Sequence, residues 1–120
     1  MRLTRIGYWS ASEGDAWPDV NGFVDLTWDA EERARAVSHL RHGILARAYL
    51  GHSICRICGE PNGSTELTDG TYLWPGGLAH YVDQHGVRLP VEFVGHVEDV
   101  VRSFDDAEVD DDWWKARTGP

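Results

Sequence analysis

The chain contains little cysteine, little lysine and no long apolar stretch. Only two of its 120 residues are cysteine and only one is lysine. No apolar run approaches the roughly 18 residues of a membrane-spanning helix, so we expect no membrane segment. The N-terminal stretch includes basic side chains with no apolar run behind them, which argues against a signal peptide. Together these absences predict a cytoplasmic protein.

Positive charge is scarce as well. The chain has 11 basic residues against 20 acidic ones, a formal net charge of −9. A basic surface that binds nucleic acid is therefore not expected. Such a surface would require five arginines to gather on one face, and the helical spacing of three of them does not allow this. The five are Arg33, Arg35, Arg41, Arg47 and Arg56.

The acidic residues are concentrated near the C-terminus. Residues 98–112 hold eight acidic residues and one arginine, a net −7 of the chain's −9. We therefore divide the chain into one globular domain, residues 1–104, and an acidic tail, residues 105–120. Trp113 and Trp114 lie in this tail, and because their large apolar rings favour burial we expect the tail to dock. A basic protein or peptide is the partner that this composition favours.

The pattern of apolar residues and turn formers predicts a small α+β domain with a short hairpin and about three helices. The predicted helices cover 30–42, with a helical continuation over 44–50, then 76–84 and 90–104. The predicted strands cover 3–9, 65–67 and 71–74, and residues 23–28 form either another short strand or an extended packing segment. Asp29 and Glu32 have the spacing of a capping box, with Gly43 as the stop of that helix. The pair Asp69-Gly70 predicts the hairpin turn.

The two cysteines, Cys55 and Cys58, form a C-x2-C pair that has three interpretations. A structural disulfide is disfavoured because nothing marks the chain as secreted. A thioredoxin-like redox pair would stand at the start of a helix, whereas Gly59, Pro61 and Gly63 follow here. The third interpretation is half of a zinc site, which requires two further ligands downstream.

Two histidines supply those ligands. His80 and His85 complete the pattern C-x2-C-x21-H-x4-H. Two thiolates and two imidazoles form a tetrahedral set suited to Zn²⁺. Five helical positions differ by about 140°, so His85 has to reach round from the helix end, where Gly86 permits a turn. The predicted zinc ligands are Cys55, Cys58, His80 and His85.

The order of knuckle, hairpin and helix carrying the second ligand pair resembles the treble-clef group of zinc folds. The resemblance covers residues 53–86 and implies a domain built around the metal. The segments 62–64, 67–70 and 74–82 also resemble small uncharacterised bacterial proteins, and this likeness brings no activity with it.

A catalytic alternative depends on His85. If His85 does not bind, a Cys2His set with an open position remains, as in zinc hydrolases and deaminases. His96 or His52 could also replace it. Glu66 or Asp69 could then serve as a general base, although we expect Glu66 to face solvent and Asp69 to serve the turn. The deaminase signature, a histidine motif before a proline-preceded cysteine pair, is absent.

For the remaining aromatic residues and histidines we favour structural roles over binding roles. The chain has six tryptophans, which we expect to fill the core. Alternatively, Trp9, Trp17 and Trp28 with nearby acidic residues form a pocket for a cation. His39 and His42 are expected at the surface or the core edge, or else along a cleft. The sequence thus predicts a zinc-binding protein with a structural site and an adaptor or immunity-like interaction role, with a small zinc-dependent enzyme as the alternative.

Overall fold

Four strands form one mixed sheet in the order β1-β4-β3-β2. The structure, a computed structural model, describes residues 1–120. The strands are β1 (Thr4–Arg5), β2 (Ile44–Ala48), β3 (Thr65–Thr68) and β4 (Tyr72–Pro75). The helices are α1 (Ala30–Arg41), α2 (Leu78–His85), α3 (Val91–Asp105) and α4 (Asp112–Lys115), with a 3-10 turn at Val20–Phe23. β1 pairs parallel to β4 and the other neighbours are antiparallel, so the predicted α+β class is confirmed.

The hairpin between β3 and β4 forms at the predicted turn. One oxygen of Asp69 accepts the backbone N–H groups of Thr71 and Tyr72 at 2.9 and 2.8 Å. Gly70 follows with a φ of +91°, a left-handed conformation that glycine adopts without steric cost. The sequence signal and the observed turn therefore have the same physical cause.

Helix α1 begins and ends as the sequence indicates. The Asp29 side chain accepts the backbone N–H of Glu32 at 2.9 Å, which caps the helix start. At its other end the chain passes tightly across the core at Gly43. A Cβ there would lie 2.7 Å from the Trp74 ring and 2.9 Å from Leu67. Glycine is needed here because of this close approach and not because of an unusual φ.

Several predicted elements are wrong in type or length. Residues 44–50 do not continue the helix, because Ile44–Ala48 pair with β3 as an edge strand. Residues 23–28 are not a strand either, and only Val24 makes an isolated bridge, to Val87. The first strand is just Thr4–Arg5. Helix α2 begins two residues later than predicted, since Pro75 still belongs to β4.

The core lies where α1, α2 and α3 meet the sheet. Trp9, Trp28 and Trp74 are buried in it, which agrees with tryptophan as a core filler. The Trp74 indole N–H donates to the backbone carbonyl of Leu40 at 3.1 Å. The three helices contribute buried apolar side chains that include Val37, Val82, Leu78, Phe93 and Val97. Because Trp9 and Trp28 are buried, the predicted cation pocket of the first third does not form.

The C-terminal segment projects away from this core. Every residue from 101 onward is exposed. The radius of gyration is 17.1 Å, against about 14 Å for a compact chain of this length. Trp113 and Trp114 are 60% and 72% exposed, and they stack on each other with ring centroids 6.4 Å apart. The expectation that the tail docks is therefore not met within this chain. None of the helices combines the length and apolar character needed to cross a bilayer.

Candidate metal centre

The cysteine pair lies on a tight knuckle. The backbone N–H of Gly59 donates to the carbonyl of Cys55 at 2.9 Å, and the N–H of Cys55 donates to the carbonyl of Glu60 at 2.9 Å. Gly59 has a φ of +76°, as expected for a glycine directly after the second cysteine. This turn places the buried Cys55 and the exposed Cys58 on the same side of the loop.

Helix α2 presents the two histidines in its first turn and at its last residue. The helix ends at His85, and Gly86 follows in the left-handed conformation with a φ of +65°. The Nε2 atoms of His80 and His85 lie 3.2 Å apart, although the two positions differ by about 140° around an ideal helix. His85 therefore reaches the His80 side chain from the end of the helix, as the sequence predicts.

Knuckle and helix together bring four ligand-type atoms into one cluster. The cluster consists of Cys55, Cys58, His80 and His85, and its donor atoms all lie within 4.8 Å of one another. The Cys58 Sγ atom lies 3.4 Å from the Nε2 atom of His80. A tetrahedral zinc with ordinary Zn–S and Zn–N bonds separates its ligand atoms by about 3.3–3.8 Å. The cluster could therefore hold a metal ion, and its two thiols and two imidazoles have the chemistry that zinc prefers. We call it the Cys2His2 cluster.

Interactions around the cluster favour the ligating form of the buried cysteine. Burial raises the pKa of Cys55, but hydrogen bonds from the backbone of Cys58 and Ile57 outweigh it and leave the pKa lowered. A lowered pKa increases the thiolate fraction, which is the form that binds metal. The Tyr81 hydroxyl accepts the backbone N–H of Arg56 at 2.8 Å, so α2 also holds the knuckle directly.

A second group of ligand-type side chains lies elsewhere in the molecule. His39 from α1 and His96 from α3 direct their Nε2 atoms at the same oxygen of Asp69, at 2.7 and 2.8 Å. Burial raises the pKa of Asp69, yet bonds from the Tyr72 backbone and from His39 outweigh it and lower the pKa to about 2. We call these three residues the Asp69 cluster. No sequence spacing indicates it, because each member comes from a different element.

The carboxylate of Asp69 is fully satisfied in this arrangement. Its other oxygen accepts two backbone N–H groups of the hairpin turn, so the group accepts four hydrogen bonds. The cluster thereby joins the β3–β4 turn to α1 and α3. The prediction that Asp69 stabilises the turn is confirmed, but it did not include the contacts with α1 and α3. His39 lies at the edge of the core, which is one of the two positions predicted for it.

Glu66 is the clearest error of the sequence reasoning. It was expected to face solvent, but it is fully buried in β3. Its carboxylate accepts hydrogen bonds from the hydroxyls of Tyr8 and Tyr49 and from the guanidinium of Arg5. Neither Glu66 nor Asp69 joins the Cys2His2 cluster. Alternation of buried and exposed side chains along β3 would place Glu66 on an exposed face. It misses the burial because this face of the sheet is covered as well.

The other histidines do not replace His85. His96 belongs to the Asp69 cluster. His52 is exposed on the loop before the knuckle, outside both clusters. His42 is exposed as well, and its Nδ1 lies 2.7 Å from the carbonyl of Ser38.

Comparison with protein-family models, with curated proteins and with solved structures gives no match to this chain. The chemistry of the site therefore has to be argued from its own geometry.

Proposed function

We propose that this protein binds one Zn²⁺ through the Cys2His2 cluster and that the metal stabilises the fold. The observation that carries the proposal is the spacing of the four donor atoms, which lie within 4.8 Å of one another. A set of four protein ligands leaves no position for a reactive water. The alternative, a hydrolase or deaminase with an open Cys2His site, would need His85 outside the set.

The position of the cluster supports a structural role. Apart from the metal, the knuckle is held to α2 by few bonds, among them the one from the backbone of Arg56 to Tyr81. The Asn62 side chain adds a bond to the Gly77 carbonyl at 3.0 Å, next to the helix start. A zinc ion would join the two elements directly and couple its binding to folding. The order of knuckle, hairpin and helix supports a treble-clef arrangement.

Metal analysis tests this part of the proposal. The protein is purified without a histidine tag, its zinc content is measured, and X-ray absorption is recorded at the zinc edge. We expect one zinc per chain with two sulfur and two nitrogen neighbours. An oxygen neighbour in place of one nitrogen would favour the open site and justify a screen for hydrolase and deaminase activity. A chain without metal would overturn the proposal.

The acidic tail, residues 105–120, supplies the second part of the proposal, which is the binding of a basic protein or peptide. The rings of Trp113 and Trp114 are exposed and adjacent, with acidic residues directly before them. The guanidinium of Arg117 lies 4.0 Å from the centre of the Trp113 ring. This contact indicates how a cationic side chain of a partner could be bound by the same ring face. The protein would then be an adaptor in which the zinc domain carries the tail and the tail binds the partner.

Titration with an arginine-rich peptide tests the role of the tail. We compare the full chain, a chain that ends at Phe104, and the double variant Trp113→Ala/Trp114→Ala. We expect salt-sensitive binding by the full chain, weaker binding by the double variant, and none by the shortened chain. Equal binding by the full and shortened chains would contradict the proposal. If the double variant bound as tightly as the full chain, the tail would bind through its charge alone, without a contribution from the two tryptophans.

A further inference from the structure

A cavity of about 560 Å³ lies beside the knuckle and outside both clusters. It is bounded by the loop before the knuckle, by the segment after β1 and by residues near the start of α2. Its 17 lining residues include Arg5, Arg56 and His52 but no aspartate or glutamate. This is unexpected in a chain with 20 acidic and 11 basic residues. The cavity has the size of a small-molecule site.

The buried Glu66 organises one wall of this cavity. Its carboxylate accepts the Tyr8 hydroxyl at 2.7 Å and the Arg5 guanidinium at 3.0 Å, and it also accepts the Tyr49 hydroxyl. All three of these partners line the cavity. Burying a carboxylate costs several kcal/mol before its partners compensate. Here the compensation fixes two aromatic rings and a guanidinium in place, as a preformed binding wall requires.

Positive charge remains at the cavity after this pairing. Glu66 compensates Arg5, whereas the guanidinium of Arg56 makes no ion pair or hydrogen bond within the chain. Asp15 is partly buried and feels the charge of Arg56, but it lies beyond ion-pair distance. Trp9 also lines the cavity, and its indole N–H is buried without a hydrogen-bond partner in the protein. The cavity thus combines the unpaired guanidinium of Arg56 with aromatic surface.

We propose that this cavity binds a small organic anion that carries a flat ring. A phosphate or carboxylate group of the ligand lies against Arg56, with the remaining N–H groups of Arg5 nearby. The ring of the ligand packs against the ring of Tyr49, because Arg5 and Trp17 already pack against the Tyr8 ring. Arginine suits this role because its planar group matches both anions in two-point hydrogen bonding. The site is a binding site, and no chemical step is assigned to it.

Phenyl phosphate is the smallest probe that contains both features, and its binding can be followed by amide NMR. Benzoate replaces the phosphate by a carboxylate, inorganic phosphate lacks the ring, and phenol lacks the charge. We expect saturable shifts at residues 49–56 and at the Trp9 indole with phenyl phosphate, benzoate or both. The comparison of these two decides which anionic group the site prefers. Inorganic phosphate and phenol should each bind at least about tenfold more weakly than the better probe.

The variant Arg56→Gln tests the charge without disturbing a bond that the fold uses. We expect it to weaken probe binding about tenfold or more. Arg33→Gln, on α1 and outside the cavity, is the matched control and should bind as the wild type does. Zinc content and amide spectra verify that both variants keep the fold. The proposal is overturned if no probe that combines ring and charge gives saturable shifts at these residues. Unchanged affinity in Arg56→Gln, or equal loss in Arg33→Gln, would also overturn it.

Discussion

The Cys2His2 cluster and the Asp69 cluster each bring two histidines next to other side chains of metal-ligand type. They differ in whether hydrogen bonds already satisfy these side chains. In the Asp69 cluster two imidazole N–H groups and two backbone N–H groups meet one carboxylate. In the Cys2His2 cluster the Nε2 atoms of His80 and His85 face each other, and the Sγ atom of Cys58 faces His80. A carboxylate can only accept, so the N–H groups around Asp69 satisfy it, whereas four ligand-type atoms that converge on one point form a set that a cation would complete.

The comparison shows that proximity of ligand-type residues does not by itself identify a metal site. Donor atoms lie within 4.8 Å of one another in both clusters. Their hydrogen bonding separates the two, because the side chains of the Asp69 cluster converge on one carboxylate that accepts four hydrogen bonds without an ion. We therefore expect one bound zinc per chain and not two.

The largest expected effect is the loss of zinc. In Cys58→Ser, or in the wild type with a strong chelator, we expect destabilisation of about 5 kcal/mol or more, comparable to the stability of a small domain. Thermal unfolding followed by circular dichroism, together with zinc content, measures this. His52→Ala removes a nearby exposed side chain outside the cluster and should melt as the wild type does. A zinc-free Cys58→Ser that melts like the wild type would contradict a structural metal.

A smaller loss is expected from Asp69→Asn. This change weakens the junction of the hairpin turn with α1 and α3, and should cost about 2 kcal/mol while zinc content stays at one per chain. Chemical unfolding and metal analysis give the two readouts. Asp83→Asn is the matched control, since Asp83 makes only partly exposed contacts, an ion pair with Arg41 and a hydrogen bond from the Gln84 side chain. If Asp69→Asn lost its zinc, the two clusters would not be independent.

The features that sequence reasoning predicted are encoded within a few residues. The knuckle depends on Cys55, Cys58 and Gly59, and the hairpin depends on Asp69 and Gly70. The spacing of the ligands also predicted that the two pairs meet. In each case the backbone conformation of a few consecutive residues positions the side chains, so a short sequence pattern is enough to predict the local structure.

The features that it missed depend on contacts between distant segments. Residues 44–48 have helix-forming residues, but pairing with β3 overrides that preference. The burial of Glu66 depends on Tyr8 and Arg5, which lie 58 and 61 residues away. The pairing of His39 with His96 likewise requires α1 and α3 to pack near the turn. No window of sequence contains these partners, so spacing could not reveal them.

Acid should disable the two clusters at different pH values. The pKa of Asp69 is about 2 in the folded protein against an ordinary value of 3.8. Its stabilising contribution is therefore complete above about pH 4 and is lost only as the pH falls towards 2. Thiolates and imidazoles are more basic than a carboxylate, so protons compete for the metal ligands at a higher pH, although burial and the charge of His80 lower the pKa of His85 from its ordinary value. Zinc release, followed with a metal indicator, should begin above pH 4 and match in the wild type and Asp69→Asn.

A release profile that shifted in Asp69→Asn would place the carboxylate in the metal site after all. Circular dichroism recorded in parallel distinguishes zinc release from general unfolding. A profile that began only below pH 4 would argue against histidine ligands.

The smallest expected effect belongs to His96→Gln, and it gives the sharpest contrast with His85→Gln. Both variants remove one half-buried imidazole, so they are matched in chemistry. His96→Gln removes one of four hydrogen bonds to Asp69 and should cost about 1 kcal/mol. After replacement of zinc by Co²⁺, its visible spectrum should keep the intense bands of a tetrahedral site with thiolate ligands. His85→Gln should lose or alter those bands, because an imidazole leaves the metal. Identical spectra in the two variants would mean that the histidines do not differ in role, and the distinction between the clusters would fail.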